Sequence, residues 1–78
     1  MKMYKDRIST TEQNLKLLKK SVEECNVPLM IENSTIFLET IKNANNIYSR
    51  LPPKIKENEK NTNRKSYALI EQYFNIKM

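Results

Sequence analysis

The chain contains no glycine, and its three prolines, Pro28, Pro52 and Pro53, are its only strong helix breakers. Without glycine, the positive-φ positions of tight hairpin turns lack their usual occupant. Gly-rich phosphate loops and dinucleotide fingerprints are excluded outright. Lys, Glu, Leu, Ile and Asn fill the stretches between the prolines. The sequence therefore predicts an all-α fold, with helices over about residues 2–25, 28–50 and 53–76.

The first segment carries a seam. Met1, Tyr4, Ile8, Thr11, Leu15, Leu18, Val22 and Cys25 alternate at steps of three and four, the spacing of a heptad repeat. Cys25 continues that seam and reads as a small buried hydrophobe. Ser9 with Glu12 also matches a capping box. Two readings follow: one helix from about residue 2 with a weak point at residues 9–11, or an arm preceding a helix that starts at Ser9. The unbroken seam favours the first. Asn26 and Pro28 end the segment.

The second segment is apolar around most of its circumference. At about 100° per residue, Met30, Phe37, Ile41, Ala44 and Tyr48 form one row, with Leu29, Ile36 and Ile47 on one side and Ile31 and Leu38 on the other. The arc spans roughly 220°, wider than the stripe of a surface helix. Such a helix is expected to touch two neighbours and to stand at the centre of the domain. The third segment opens on Pro53, a favoured first helical residue. Its first half is polar apart from Ile55. Its second half shows two apolar rows, Tyr67, Ile70, Phe74 and Leu69, Tyr73, Ile76. The change falls at Asn61-Thr62-Asn63, where a break at 61–63 is the alternative to one continuous helix.

Three helices with short connections define a single helical domain over residues 1–78, folded as an up-down-up bundle. Long heptad helices pairing as a dimer, a coiled coil, are the other geometry the seam allows. A core this small supplies only about 3–5 kcal/mol of net stability, so such domains lean on disulfides, metals, partners or very regular packing. One cysteine and no histidine leave the last two.

The same residue inventory points away from catalysis. No histidine is present for acid–base work near neutral pH. Glu23 and Glu24 project to different helix faces, and Glu57, Glu59, Glu32 and Glu39 read as solvated surface. No enzyme, cofactor or small-molecule substrate is expected. Met1–Ser9 has charges but no apolar stretch behind them, and no run approaches a membrane span. With a lone cysteine, this points to a reducing, cytoplasmic setting. The sequon Asn33-Ser34-Thr35 is accordingly read as chance.

The net charge of +5 is unevenly placed. Residues 26–51 are balanced, while both ends of the chain carry an excess of Lys and Arg. On one continuous helix, Lys56, Lys60 and Arg64 would share a face at i, i+4 and i+8, with Lys54 and Lys65 close by. That row suits phosphates or an acidic protein surface, although Glu57 and Glu59 interrupt it. The aromatics Tyr67, Tyr73 and Phe74 repeat at helical spacing and are not interleaved with the basic residues as nucleic-acid stacking platforms are. The expectation is a small intracellular protein-binding module, a regulator, inhibitor or small subunit of a larger assembly. Its partner is another protein or a second copy of itself. Tyr67, Ile70 and Phe74 are the contact residues and Lys56, Lys60 and Arg64 the steering residues. The alternative is a basic helical nucleic-acid-binding protein.

Overall fold

The computed structural model describes residues 2–76. Among them the chain forms four α-helices and no strand: α1 (Lys2–Glu23), α2 (Val27–Ser49), α3 (Pro53–Asn58) and α4 (Lys60–Ile76). Met1, the first residue of the predicted seam, lies outside the described residues. The three long helices run up, down and up. Asn14 Nδ2 donates to Thr40 Oγ1 and Asn33 Nδ2 to the Leu17 carbonyl, so α1 and α2 are antiparallel. Tyr4 meets Asn63 and Lys19 meets Gln72, so α4 runs alongside α1 in the same direction. The molecule measures 44 × 17 × 14 Å, with a radius of gyration of 13.3 Å. A spherical domain of this length would have about 11–12 Å.

The seam of α1 is the centre of the bundle. Tyr4, Ile8, Thr11, Leu15 and Leu18 are all buried, joined in the core by Phe37, Ile41 and Ala44 of α2 and Leu69 of α4. The expectation that the middle helix would be sandwiched is corrected here. α1 packs along α2 and also against α4, whereas α2 and α4 touch only briefly. Their meeting point is the stack of Phe37 on Tyr73, with ring centroids 5.0 Å apart, and the Ser34–Tyr73 hydroxyl contact at 3.0 Å. At the other end Tyr4 binds the three long helices together. Its ring lies 5.2 Å from that of Tyr48 on α2, and its hydroxyl donates to Asn63 Oδ1 on α4 at 3.1 Å.

Small side chains line the helix contacts. Thr11, Ser21 and Ser66 are fully buried, and each hydroxyl is satisfied within its own helix, on the carbonyls of Arg7, Leu18 and Asn63. These back-bonds also settle the question at residues 9–11. Helix α1 runs through them unbroken, with Thr10 and Thr11 bonded to the carbonyls four residues before, so the Ser9 capping box is not used as a helix start.

The first corner departs most from expectation. Cys25 is exposed, not the end of the buried seam. Its φ of 55° is the one positive value among the described non-glycine residues. The Asn26 amide reaches back to the Ser21 carbonyl and the Cys25 amide to the Val22 carbonyl, both at 3.0 Å. This is a Schellman ending, with cysteine where glycine normally sits. The turn swings Cys25 out of line with Val22. Asn26 then begins the next helix: its Oδ1 accepts the Leu29 amide at 3.2 Å and its carbonyl the Met30 amide at 2.9 Å. One residue thus closes α1 and caps α2.

The second corner is the proline pair. Arg50 and Leu51 cap the end of α2 through its last carbonyls, Pro53 opens α3, and the Tyr48 hydroxyl donates to the Lys56 carbonyl at 3.3 Å. The predicted break at 61–63 is shifted. It falls at Glu59, whose φ and ψ of −99° and 15° separate α3 from α4. Glu59 was expected on solvated surface, yet it is buried. The kink turns its side chain inward at the first residue before α4, where Thr62 hydrogen-bonds it.

Two outcomes follow from this geometry. Cys25→Gly should raise stability by roughly 0.5–1 kcal/mol, because an L-residue in the left-handed region costs about 1–2 kcal/mol and glycine returns part of that as chain entropy. Cys25→Val should lower it. Urea midpoints at unchanged slope measure both, and an unchanged midpoint for the glycine variant would contradict the turn. Burial pushes the Tyr4 phenol above its ordinary pKa of 10.0. The folded form therefore holds its proton more tightly than the unfolded chain. The associated stability is complete below about pH 10 and is lost as pH rises through the folded value. Tyr4→Phe should cost about 1 kcal/mol at pH 7 through the lost bond to Asn63. The gap between wild type and variant should narrow above pH 10 in parallel urea titrations.

Candidate partner-binding surface

The six residues singled out by the sequence separate into three groups. Lys56 sits on the short α3, half-buried, with its ammonium 5.9 Å from the centre of the Tyr48 ring. It is engaged with its own chain. Ile70 is half-buried and packs against the core. Lys60, Arg64, Tyr67 and Phe74 are exposed, and all four lie on α4. At about 100° per residue they fall, together with Glu71, within about 80° on the side of α4 opposite Leu69. The strip extends about 21 Å along the helix. Tyr67 and Phe74 are 64% and 61% exposed, a large fraction for two aromatic rings on a small domain.

The basic row is divided. The kink at Glu59 places Lys56 and Lys60 on different helices, Lys56 half-buried over the Tyr48 ring and Lys60 exposed. Lys65 points to the other flank of α4 and pairs with Glu12 of α1 at 3.1 Å. Both side chains of that pair are substantially exposed, so it holds little energy. Lys60 and Arg64 remain as the cations of the outer strip, with Glu71 as its carboxylate. No ion pair engages Arg64 or Glu71 among the described residues.

A second apolar flank was missed by the sequence reading. Val27, Ile31 and Leu38 of α2 are exposed, Ile31 by 64%. They lie on the same side of α2 as Ser34, which meets Tyr73 of α4. On α4, Lys65 and Gln72 face α1, which turns Tyr67, Ile70 and Phe74 towards α2. The two flanks therefore border the line where α2 and α4 meet. Leu29 and Ile36, also exposed, lie on the opposite flank of α2, beside α1 and its exposed Leu17. The signal was present in the 220° apolar arc. An arc that wide calls for two broad neighbours, and the structure supplies one broad neighbour and one brief contact.

Among the described residues there is no group of three or more His, Cys, Asp or Glu that could hold a metal ion. No helix there is long and apolar enough to cross a membrane. No family model, no curated protein and no solved structure matches this chain.

Proposed function

We propose that the chain is a helical protein-binding module, acting as a regulator, an inhibitor or a small subunit of a larger assembly. It docks helix against helix. The observation that carries this reading is the pair of open apolar flanks, Val27, Ile31 and Leu38 on α2 with Tyr67 and Phe74 on α4. Scattered exposed hydrophobes are ordinary on a soluble surface, but rows of them aligned along two adjacent helices are what a docking helix covers. Tyrosine suits such a place, with an apolar body and a hydrogen-bonding tip. Lys60 and Arg64 at one end of the strip supply orientation and association rate more than affinity.

The division of the basic row favours this reading over nucleic-acid binding. Phosphate binding strengthens with each cation brought to one track, and Lys56 and Lys65 are turned elsewhere.

The test compares wild type with Ile31→Asp and Phe74→Asp, both at exposed positions and both checked for unchanged helicity. Affinity capture from the cells that make the protein should retain the same partner with wild type and lose it with either variant. Identical retention by all three forms would count against the flanks. A low-salt mobility shift with generic DNA or RNA, abolished by Lys60→Glu with Arg64→Glu, would favour the nucleic-acid alternative instead.

A further inference from the structure

We infer that the strip on α4 is the seam of a two-fold homodimer, in which the α4 helices of two copies pair antiparallel through Tyr67 and Phe74, with Arg64 of each copy set against Glu71 of the other. This rests on the reading of that strip as a docking surface and names its occupant as a second copy of the chain.

The pattern of charges along α4 carries the inference. In an antiparallel helix pair, residues whose numbers have the same sum come level with one another. A two-fold axis passing beside Tyr67 makes that sum about 135. Arg64 then comes level with Glu71 of the second copy, and Glu71 with its Arg64. Lys60 comes level with residues 74 and 75, where its ammonium reaches the face of Phe74. The two Tyr67 rings meet near the axis. Every exposed charge of the strip thus finds an opposite charge or an aromatic face, and the two Tyr67 rings find each other. A two-fold interface must be self-complementary in this way, and most one-helix surfaces are not.

Two further observations agree. Arg64 and Glu71 have no partner in their own chain among the described residues. The domain is also elongated, with one cysteine and no metal cluster among the described residues, so neither a disulfide within the chain nor a bound ion is at hand to support its small core. Association is one of the two supports left to a domain of this size, beside very regular packing. The flank formed by Ile31 and Leu38 lies beside the seam and would be partly covered by α4 of the second copy. An interface built on one helix face sits near or below the ~1,200 Å² at the low end of stable complexes, so the dimer should dissociate in the micromolar range.

The experiment is sedimentation equilibrium of the full chain from about 1 µM to about 1 mM, a range that brackets such affinities. Wild type should convert from monomer to dimer with concentration. Arg64→Glu alone and Glu71→Arg alone each place two like-charge contacts in the symmetric dimer and should weaken it by tenfold or more. An equimolar mixture of the two variants should form the heterodimer, because each like-charge contact is replaced by an opposite one. The double variant R64E/E71R should recover most of the wild-type association. Helicity measured by circular dichroism should be unchanged throughout, since both side chains are exposed. A wild type that stays monomeric over the whole range would overturn the inference, as would self-association that the reversals do not alter or a mixture that fails to pair. If wild type is monomeric and the flank variants still lose a captured protein, the docking surface stands and its occupant is a different chain.

Discussion

One row of side chains on α1 has to serve two neighbours. Tyr4, Ile8, Thr11, Leu15 and Leu18 are spaced for a narrow seam, and both α2 and α4 bury themselves against it. The two helices share the stripe more than they share each other. They meet only briefly, at the Phe37–Tyr73 stack and the Ser34–Tyr73 hydroxyl contact. The open flanks of α2 and α4 are thus a geometric result of the seam's width. A broader apolar face on α1 would have spread its neighbours further apart, and a narrower one would have released α4.

The absence of glycine shapes how the helices end. Each reversal is built from side-chain and proline devices: cysteine in a left-handed turn, asparagine as a shared cap, a proline pair, and a buried glutamate at the final kink. These corners contain few residues, and they hold the long helices in short-range order. The polar anchors of α4 are individually weak. The Lys65–Glu12 pair and the Lys19–Gln72 bond are exposed, so α4 depends chiefly on the apolar packing of Leu69, Ile70, Tyr73 and Ile76.

Much of the fold was legible because helical periodicity is a strong signal. The 3-4 spacing from Tyr4 to Val22 is a direct consequence of 3.6 residues per turn, and the structure buries or half-buries every residue in it. Pro53 and Asn26 mark helix starts for reasons visible in the residues themselves. Other features depend on tertiary placement and were not legible. The breadth of the apolar arc on α2 measures composition, not the number of neighbours. Cys25 continues the spacing of the seam, but the hydrogen bonds that close α1 rotate it out of line. Glu59 carries no apolar signal that would announce its burial, and its kink separates Lys56 from Lys60, whose common face held only for a straight helix. Of the site residues, Tyr67 and Phe74 do lie together on one exposed face, while Ile70 is drawn into the core and Lys56 onto Tyr48.

The shared corner at Asn26 has a consequence for α2 as a whole. That helix carries two apolar rows about 100° apart, one through Phe37 and one through Ile31 and Leu38. A slip of a single residue at the junction would turn the helix by that same angle, offering the core Ile31 and Leu38 in the first half but Lys42, Asn45 and Ser49 in place of Ile41, Ala44 and Tyr48 in the second. Hydrophobicity thus fixes the inner face over the second half of α2 and leaves the first half, near the corner, with two apolar rows to choose from. There, three residues of connection, with one asparagine clasped to both helices, hold the same register as the core further along.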